Sequence, residues 1–267
     1  MSAPNQAPAK RFRWDGESLV PAPGDGARPE VIDSWLVADG AWLAPERHAE
    51  RFADAVHRLH GIDPATSRAL VSAAPPLIPT TGTWFPRVEY SPTDGFHLLV
   101  RPAPPLGSTV RLWTAPEPDT RLHPTIKGYD LPLLNDLREQ AHAAGADEPL
   151  LVDAQGHVLE GASTSILWWR DGALCAPPES ESVLTSVTRA VLVDLAEAAA
   201  IPVRHEQARP RDLDGLEIWA VNALHGIRPI VPWPGSPVLP GPATQAPRWR
   251  RELQDKRSIN DNAPKQR

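Results

Sequence analysis

The chain has 267 residues, 41% of them apolar and 22% charged, with a formal net charge of -6. That length and balance support a large core, as one big domain or two smaller ones, and the mild acidity leaves no basic stripe for nucleic acid. The single cysteine, Cys175, excludes an intramolecular disulfide and any Cys/His zinc set, and no apolar run reaches the roughly 18 residues of a membrane helix.

The opening "MSAPNQAPAKRFRW" lacks the apolar centre of a signal peptide, so a soluble cytoplasmic protein is expected, with no membrane partner. Residues 1–10 read as a disordered tail. "RFRWDG" and "ESLVPAP" read as strand, turn and strand. "VIDSWLVADGAWLAP" (Val31 to Pro45) reads as a hairpin split at Asp39-Gly40. A helix runs from Pro45 to Gly61, with Ala49, Phe52, Ala53, Val56 and Leu59 at helical spacing. A shorter helix follows in "DPATSRALVSAA". "WFPRVEYS", "FHLLVRP" and "STVRLWTA" read as three strands, which close a small N-terminal domain over 11–118.

The polar, proline-containing stretch Pro116 to Thr125 marks a boundary, and a larger second domain is expected over 119–240. It holds a helix after Pro132 that stops at Gly145, then three short strands joined at Gln155-Gly156 and Asp171-Gly172. The helix "SVTRAVLVDLAEAAAI" and the strand and turn of "LEIWAVNALHGIRPIVPW" follow. Residues 241–267 form a polar tail, partly helical or disordered. There is no internal repeat, and the class is α+β.

The basic residues carry the sharpest signal. Of 27, only four are lysine, and between Arg11 and Asp255 there are 21 arginines and one lysine, Lys127. Arginine replaces lysine as a cation, but not as an amine that loses its proton and forms a Schiff base with an aldehyde. A Schiff-base lysine that serves pyridoxal phosphate needs two companions. One is a carboxylate that keeps the pyridine nitrogen protonated; the other is a phosphate cup at a helix N-terminus, often with an arginine. Glu160, at the end of "HVLEG", suits the first. "LTSVTRAVLVDL" suits the second, because Thr185 or Ser186 can cap the helix and leave the N–H groups of Val187 and Thr188 at its positive end. Arg51, on the first helix, suits the arginine of that cup.

Lys127, then "ADEPLLVDAQGHVLEGASTSILWW", "VLTSVTR" and "LEIWAVNALHGIRPI" in that order resemble the class IV aminotransferases, the pyridoxal-phosphate enzymes of fold type IV. The resemblance runs from about Val31 to Pro229 and includes "IDSWLVADGAWLAPERHAERF" with its H-x-x-R ending. It implies a fold with a small N-terminal and a larger C-terminal domain, and a homodimer. It implies pyridoxal 5'-phosphate on Lys127, which also carries the proton. Glu160 becomes the ring-nitrogen partner, Val187 and Thr188 the phosphate binders, and Arg51 the phosphate arginine. Asn222 and Ala223 lie beside the phosphate and substrate. Asp33, Ser34 and Ser165 take substrate-side positions; an aspartate there repels a substrate carboxylate unless it is paired. Ser186 stands where the family often has glycine.

The "NALHGIRP" turn is most like the 4-amino-4-deoxychorismate lyase branch, which implies 4-aminobenzoate and pyruvate as products. Amino transfer of the branched-chain or D-amino-acid type is the alternative. A family member that has lost catalysis and a proline-rich interaction protein are the remaining readings, both disfavoured by the retained lysine and the motif order. No metal is expected, and His123 is read as a linker residue.

Overall fold

The computed structural model describes residues 8–24, 26–180 and 182–259. Most of the expected disordered tail lies outside them. The chain divides into two compact units. One runs to Leu106 and includes the short segment Ile126–Tyr129 and the residues from Lys256 on; the other comprises Gly107–Thr125 and Asp130–Asp255.

The first unit begins with β1 (Lys10–Trp14) and β2 (Leu19–Pro21), turned by the Asp15 carboxylate, which accepts from the N–H groups of Glu17 and Ser18. β3 (Val31–Ser34), β4 (Val37–Ala38), β5 (Ala41–Leu43), α1 (Pro45–His60), α2 (Pro64–Ala73), β6 (Thr83–Trp84), β7 (Arg87–Ser91) and β8 (Gly95–Val100) follow. The hairpin expected from Val31 is shorter than the sequence suggested. Only β4 and β5 flank the Asp39-Gly40 turn, both of whose residues have positive φ, as a two-residue turn of this kind requires. β3 pairs instead with β7, and the sheet order is β2-β1-β8-β7-β3. The register and the alternation of side chains along a strand put Val31, Val88 and Leu98 on one face, where Phe52 and Val56 of α1 pack against them. Proline starts α1, and Gly61 ends it in the left-handed region, its N–H donating to the His57 carbonyl.

The second unit holds β9 (Val110–Thr114), α3 (Leu131–Ala143), β10 (Glu148–Val152), β11 (Val158–Gly161), β12 (Ser165–Arg170), β13 (Ala173–Ala176), α4 (Val187–Ala198), β14 (Val203–His205), β15 (Ile218–Asn222) and β16 (Gly226–Val231). β9, read with the first domain in the sequence, belongs here, because it pairs in parallel with β10 and β16. Where three strands were expected between Glu148 and Ala176 there are four, since the chain breaks again after Gly161. The order is β11-β10-β9-β16-β15-β12-β13-β14, and β11 also pairs with β12, so six strands close into a barrel with no free edge. Val110, Leu112, Leu150, Ile166, Trp168, Ile218 and Ala220 belong to its apolar core. The closing pair is Glu160 opposite Ser165.

The charged tail contains α5 (Ala246–Asp255), whose Trp249 packs against Trp169 and Trp219 with ring centroids 5.3 and 5.9 Å away. β17 (Arg257–Ile259) then returns to the first unit and pairs with β5. Among the described residues no helix is long and apolar enough to cross a membrane.

Candidate active site

In the first unit, Lys127 is held by its backbone. Its carbonyl accepts from the N–H of Ile32 at 2.7 Å, and Gly128 bridges to Val31, so the segment lies against β3 like a short added strand. Gly128 has φ +122°, and a Cβ there would come within 2.9 Å of the Glu30 carbonyl oxygen and the Ile32 nitrogen. Only glycine permits that approach. The Arg28 guanidinium closes the segment by donating to the Tyr129 carbonyl at 2.8 Å. The chain leaves it at Asp130, whose carboxylate accepts from the N–H groups of Leu122 and His123 within the second unit.

One residue past Ile32 is Asp33, which is fully buried. Arg51 grips it from α1 in a bidentate pair, Nε to Oδ2 at 2.7 Å and Nη2 to Oδ1 at 2.8 Å. His48 Nδ1 lies 2.8 Å from Oδ1, and the Ser34 N–H donates to the same oxygen. His48 and Arg51 sit three residues apart on one helical face, so both reach one carboxylate. Burial opposes the charge on Asp33, yet Arg51 and His48 hold its pKa well below the usual carboxylate range. Burial pushes His48 down despite Asp33, and the charges of Arg51 and Lys127 push the same way. The imidazole is therefore neutral, donating from Nδ1 to an Asp33–Arg51 ion pair. The carboxylate that the sequence placed toward substrate is thus paired, which answers the repulsion raised by its position. Ser34 is buried beside it.

In the second unit, Glu160 sits at the barrel seam. Its Oε1 accepts from Arg121 Nη1 at 2.7 Å and from the Leu184 N–H at 3.0 Å. Arg121 also grips Asp119, so one guanidinium serves two buried carboxylates. Burial works against the Arg121 charge, but Asp119 and Glu160 outweigh it and raise its pKa.

The turn after Glu160 is clamped from below. Buried Glu148 accepts from the Ser163 N–H at 2.6 Å and from the Ser163 hydroxyl. A Cβ on Gly161 would stand 2.4 Å from Thr164 Oγ1, so that position has no room for a side chain. Ser165 follows, buried. Asn222 ties this turn to the next, donating from Nδ2 to the Ser163 carbonyl and accepting at Oδ1 from Leu224 and His225. Ala223 sits inside that second turn. Of the two capping candidates for α4, Ser186 does the work by accepting from the Arg189 N–H. Val187 and Thr188 begin the helix, both buried, and Thr188 Oγ1 has no hydrogen-bond partner among the described residues.

Lys127, Asp33, Ser34 and Arg51 therefore meet within the first unit. Glu160, Ser165, Val187, Thr188, Asn222 and Ala223 belong to the second. The sequence reading missed His48, Asp119, Arg121 and Glu148. His48 was visible in the H-x-x-R spacing. "DTR" was visible too, but was read only as linker.

The amino-transferase class IV family model matches residues 30–233. A protein of Methanocaldococcus jannaschii, provisionally named branched-chain-amino-acid aminotransferase, is 37% identical over 94 residues, 34% of this chain and 32% of that protein. The match thus spans about a third of the curated relative's length. An aminotransferase from Brucella abortus, solved with its cofactor PLP, superposes with a TM-score of 0.76 at 18% identity, covering 93% of this chain and 99% of that one. A Legionella pneumophila protein, provisionally named 4-amino-4-deoxychorismate lyase, superposes with a TM-score of 0.73 at 16% identity over 88% and 96%. Likeness at such identities speaks for the fold alone, and that fold is type IV. With the matched family model spanning most of the chain, the protein belongs to the class IV aminotransferases, a family of pyridoxal-phosphate enzymes.

Proposed function

We propose that the protein acts on an amino substrate through pyridoxal phosphate carried by Lys127. The observation that carries this is the lysine's setting: a backbone locked to β3 beside an Asp33–Arg51 pair that is already closed on itself. The residues of the second unit fit the cofactor. Thr188 Oγ1 is buried without a partner among the described residues at the start of α4, where the first N–H groups of a helix have no acceptor within it. A phosphate would supply acceptors to that hydroxyl and to the Val187 and Thr188 N–H groups, which the Ser186 cap on Arg189 leaves open, and the helix dipole favours its charge. Glu160 is a buried, oriented carboxylate of the kind that pairs with a protonated ring nitrogen.

When bound, the cofactor supplies an aldehyde carbon that captures amines and a ring that draws electrons from the substrate Cα. Lys127 Nζ would hold that carbon and, when not bonded to it, would carry the proton of the substrate Cα. Glu160 holds the positive charge at the ring nitrogen. Val187 and Thr188 hold the phosphate, with Arg51 oriented by Asp33 for the same task. Asn222 fixes the turn in which Ala223 borders the phosphate and substrate, and Ser34 and Ser165 face the substrate.

The "NALHGIRP" turn favours the lyase reaction, which releases pyruvate and leaves 4-aminobenzoate. Amino transfer is the second reading, favoured by a curated relative named as an aminotransferase. A cytoplasmic homodimer completes the proposal. Aminodeoxychorismate supplied to the loaded protein is expected to give pyruvate and 4-aminobenzoate. Neither product, alongside keto-acid-dependent amino transfer, rejects the lyase reading in favour of the second.

A further inference from the structure

The Asp119–Arg121–Glu160 trio is more than a staple for the linker. Side-chain exposure is 4% for Arg121 and 7% for both carboxylates. Arg121 Nε lies 3.0 and 2.9 Å from the two oxygens of Asp119, and Nη2 lies 2.8 Å from Oδ2 and 3.0 Å from the Ser182 carbonyl. Asp119 is itself fixed, its N–H donating to the Val152 carbonyl on β10. With that side of the fork locked, Nη1 is aimed at Glu160 Oε1, which the Leu184 N–H holds from another direction. A guanidinium keeps its charge at any ordinary pH, so a carboxylate bonded to it is held in the ionised form. Arg189, buried on α4 and donating to the Pro177 carbonyl, is a further cation whose field reaches Glu160. One guanidinium and two carboxylates sum to a single negative charge, which matches one protonated ring nitrogen.

We propose that Asp119 and Arg121 are positioning residues for Glu160: the shared guanidinium fixes its carboxylate and keeps it ionised, so that it meets the ring nitrogen of bound pyridoxal phosphate as an anion. This rests on the ring-partner role of Glu160 proposed above. Without Arg121, the buried carboxylate gains proton affinity and competes with the ring for the proton. Without the Asp119 charge, the trio is neutral and the ring nitrogen loses its proton at lower pH.

The test loads the full chain with pyridoxal phosphate carrying nitrogen-15 in the ring and reads the ring resonance, which reports protonation independently of turnover. Wild type is expected to show a protonated ring nitrogen at pH 7. Arg121→Gln is expected to move the resonance toward the unprotonated position. Asp119→Asn, which keeps the guanidinium, is expected to lower the ring-nitrogen titration midpoint by about one pH unit; it carries the test if Arg121→Gln does not fold. A wild-type resonance and midpoint in both variants, while Glu160→Gln shifts the signal, overturns the role of Asp119 and Arg121 alone. A Glu160→Gln protein with the wild-type resonance overturns the ring-partner reading with it.

Discussion

The N–H of Ile32 donates to the carbonyl of Lys127 at 2.7 Å, tying the lysine to the strand that carries Asp33 on its next residue. The bond joins positions 95 residues apart in number and sets where the amine starts from. It depends on Gly128, because a backbone this close leaves no space for Cβ. Gly128→Ala is therefore expected to cost about 1–3 kcal/mol of stability. It should also weaken loading with pyridoxal phosphate, read by thermal unfolding and by visible absorption. Wild-type loading in a folded Gly128→Ala protein contradicts this.

The Asp33–His48–Arg51 cluster sets an acid limit on stability. His48 has a folded pKa below its unfolded value, so the unfolded chain binds the extra proton, and stability falls as pH drops below about 6.5. Asp33 is likewise depressed, so its contribution is present above about pH 4 and is lost as pH falls further. Denaturant titrations between pH 7 and pH 5 should show a smaller loss in His48→Asn than in wild type. Asp33→Ala breaks the ion pair at its fully buried end and should cost about 3–5 kcal/mol. Equal pH slopes for wild type and His48→Asn would set the neutral-imidazole assignment aside.

Thr188→Val separates cofactor binding from folding. The hydroxyl is buried without a partner among the described residues, so the cofactor-free variant is expected to be as stable as wild type or more so. Its affinity for pyridoxal phosphate should fall about tenfold, the effect of losing one bond of about 1.4 kcal/mol to a charged group. Unchanged affinity by tryptophan-fluorescence titration removes Thr188 from the phosphate site.

The tail helix is structural. Trp249 is 2% exposed and packs on Trp169 and Trp219, so Trp249→Ala is expected to cost about 3–5 kcal/mol. A thermal midpoint within a degree of wild type shows that α5 is dispensable.

Much of the local structure was legible because its signals are local. Asp39-Gly40 marks a tight turn, Pro45 and Gly61 bound α1, and Ser186 caps α4. Pairing partners were not. β9 reads as a strand anywhere, and only its parallel neighbours β10 and β16 assign it to the second unit. The site was legible where residue type is chemically irreplaceable. Lys127 stood out against its arginine background, and Glu160 broke an apolar-to-small run. Arg121 was hidden for the opposite reason: it is one of the chain's 23 arginines and stands in a polar linker. Asp33 and Arg51 were visible, but their pairing was not, because it requires β3 and α1 to meet.

Lys127 is expected to carry the cofactor, and the chain's four lysines make that directly testable. Borohydride reduction of the protein loaded with pyridoxal phosphate makes the bond between a lysine Nζ and the aldehyde carbon permanent, and peptide mass mapping then finds it. The label is expected on Lys127, with none on Lys10, Lys256 or Lys265. A label confined to those three, or no label at all on a folded protein, contradicts it.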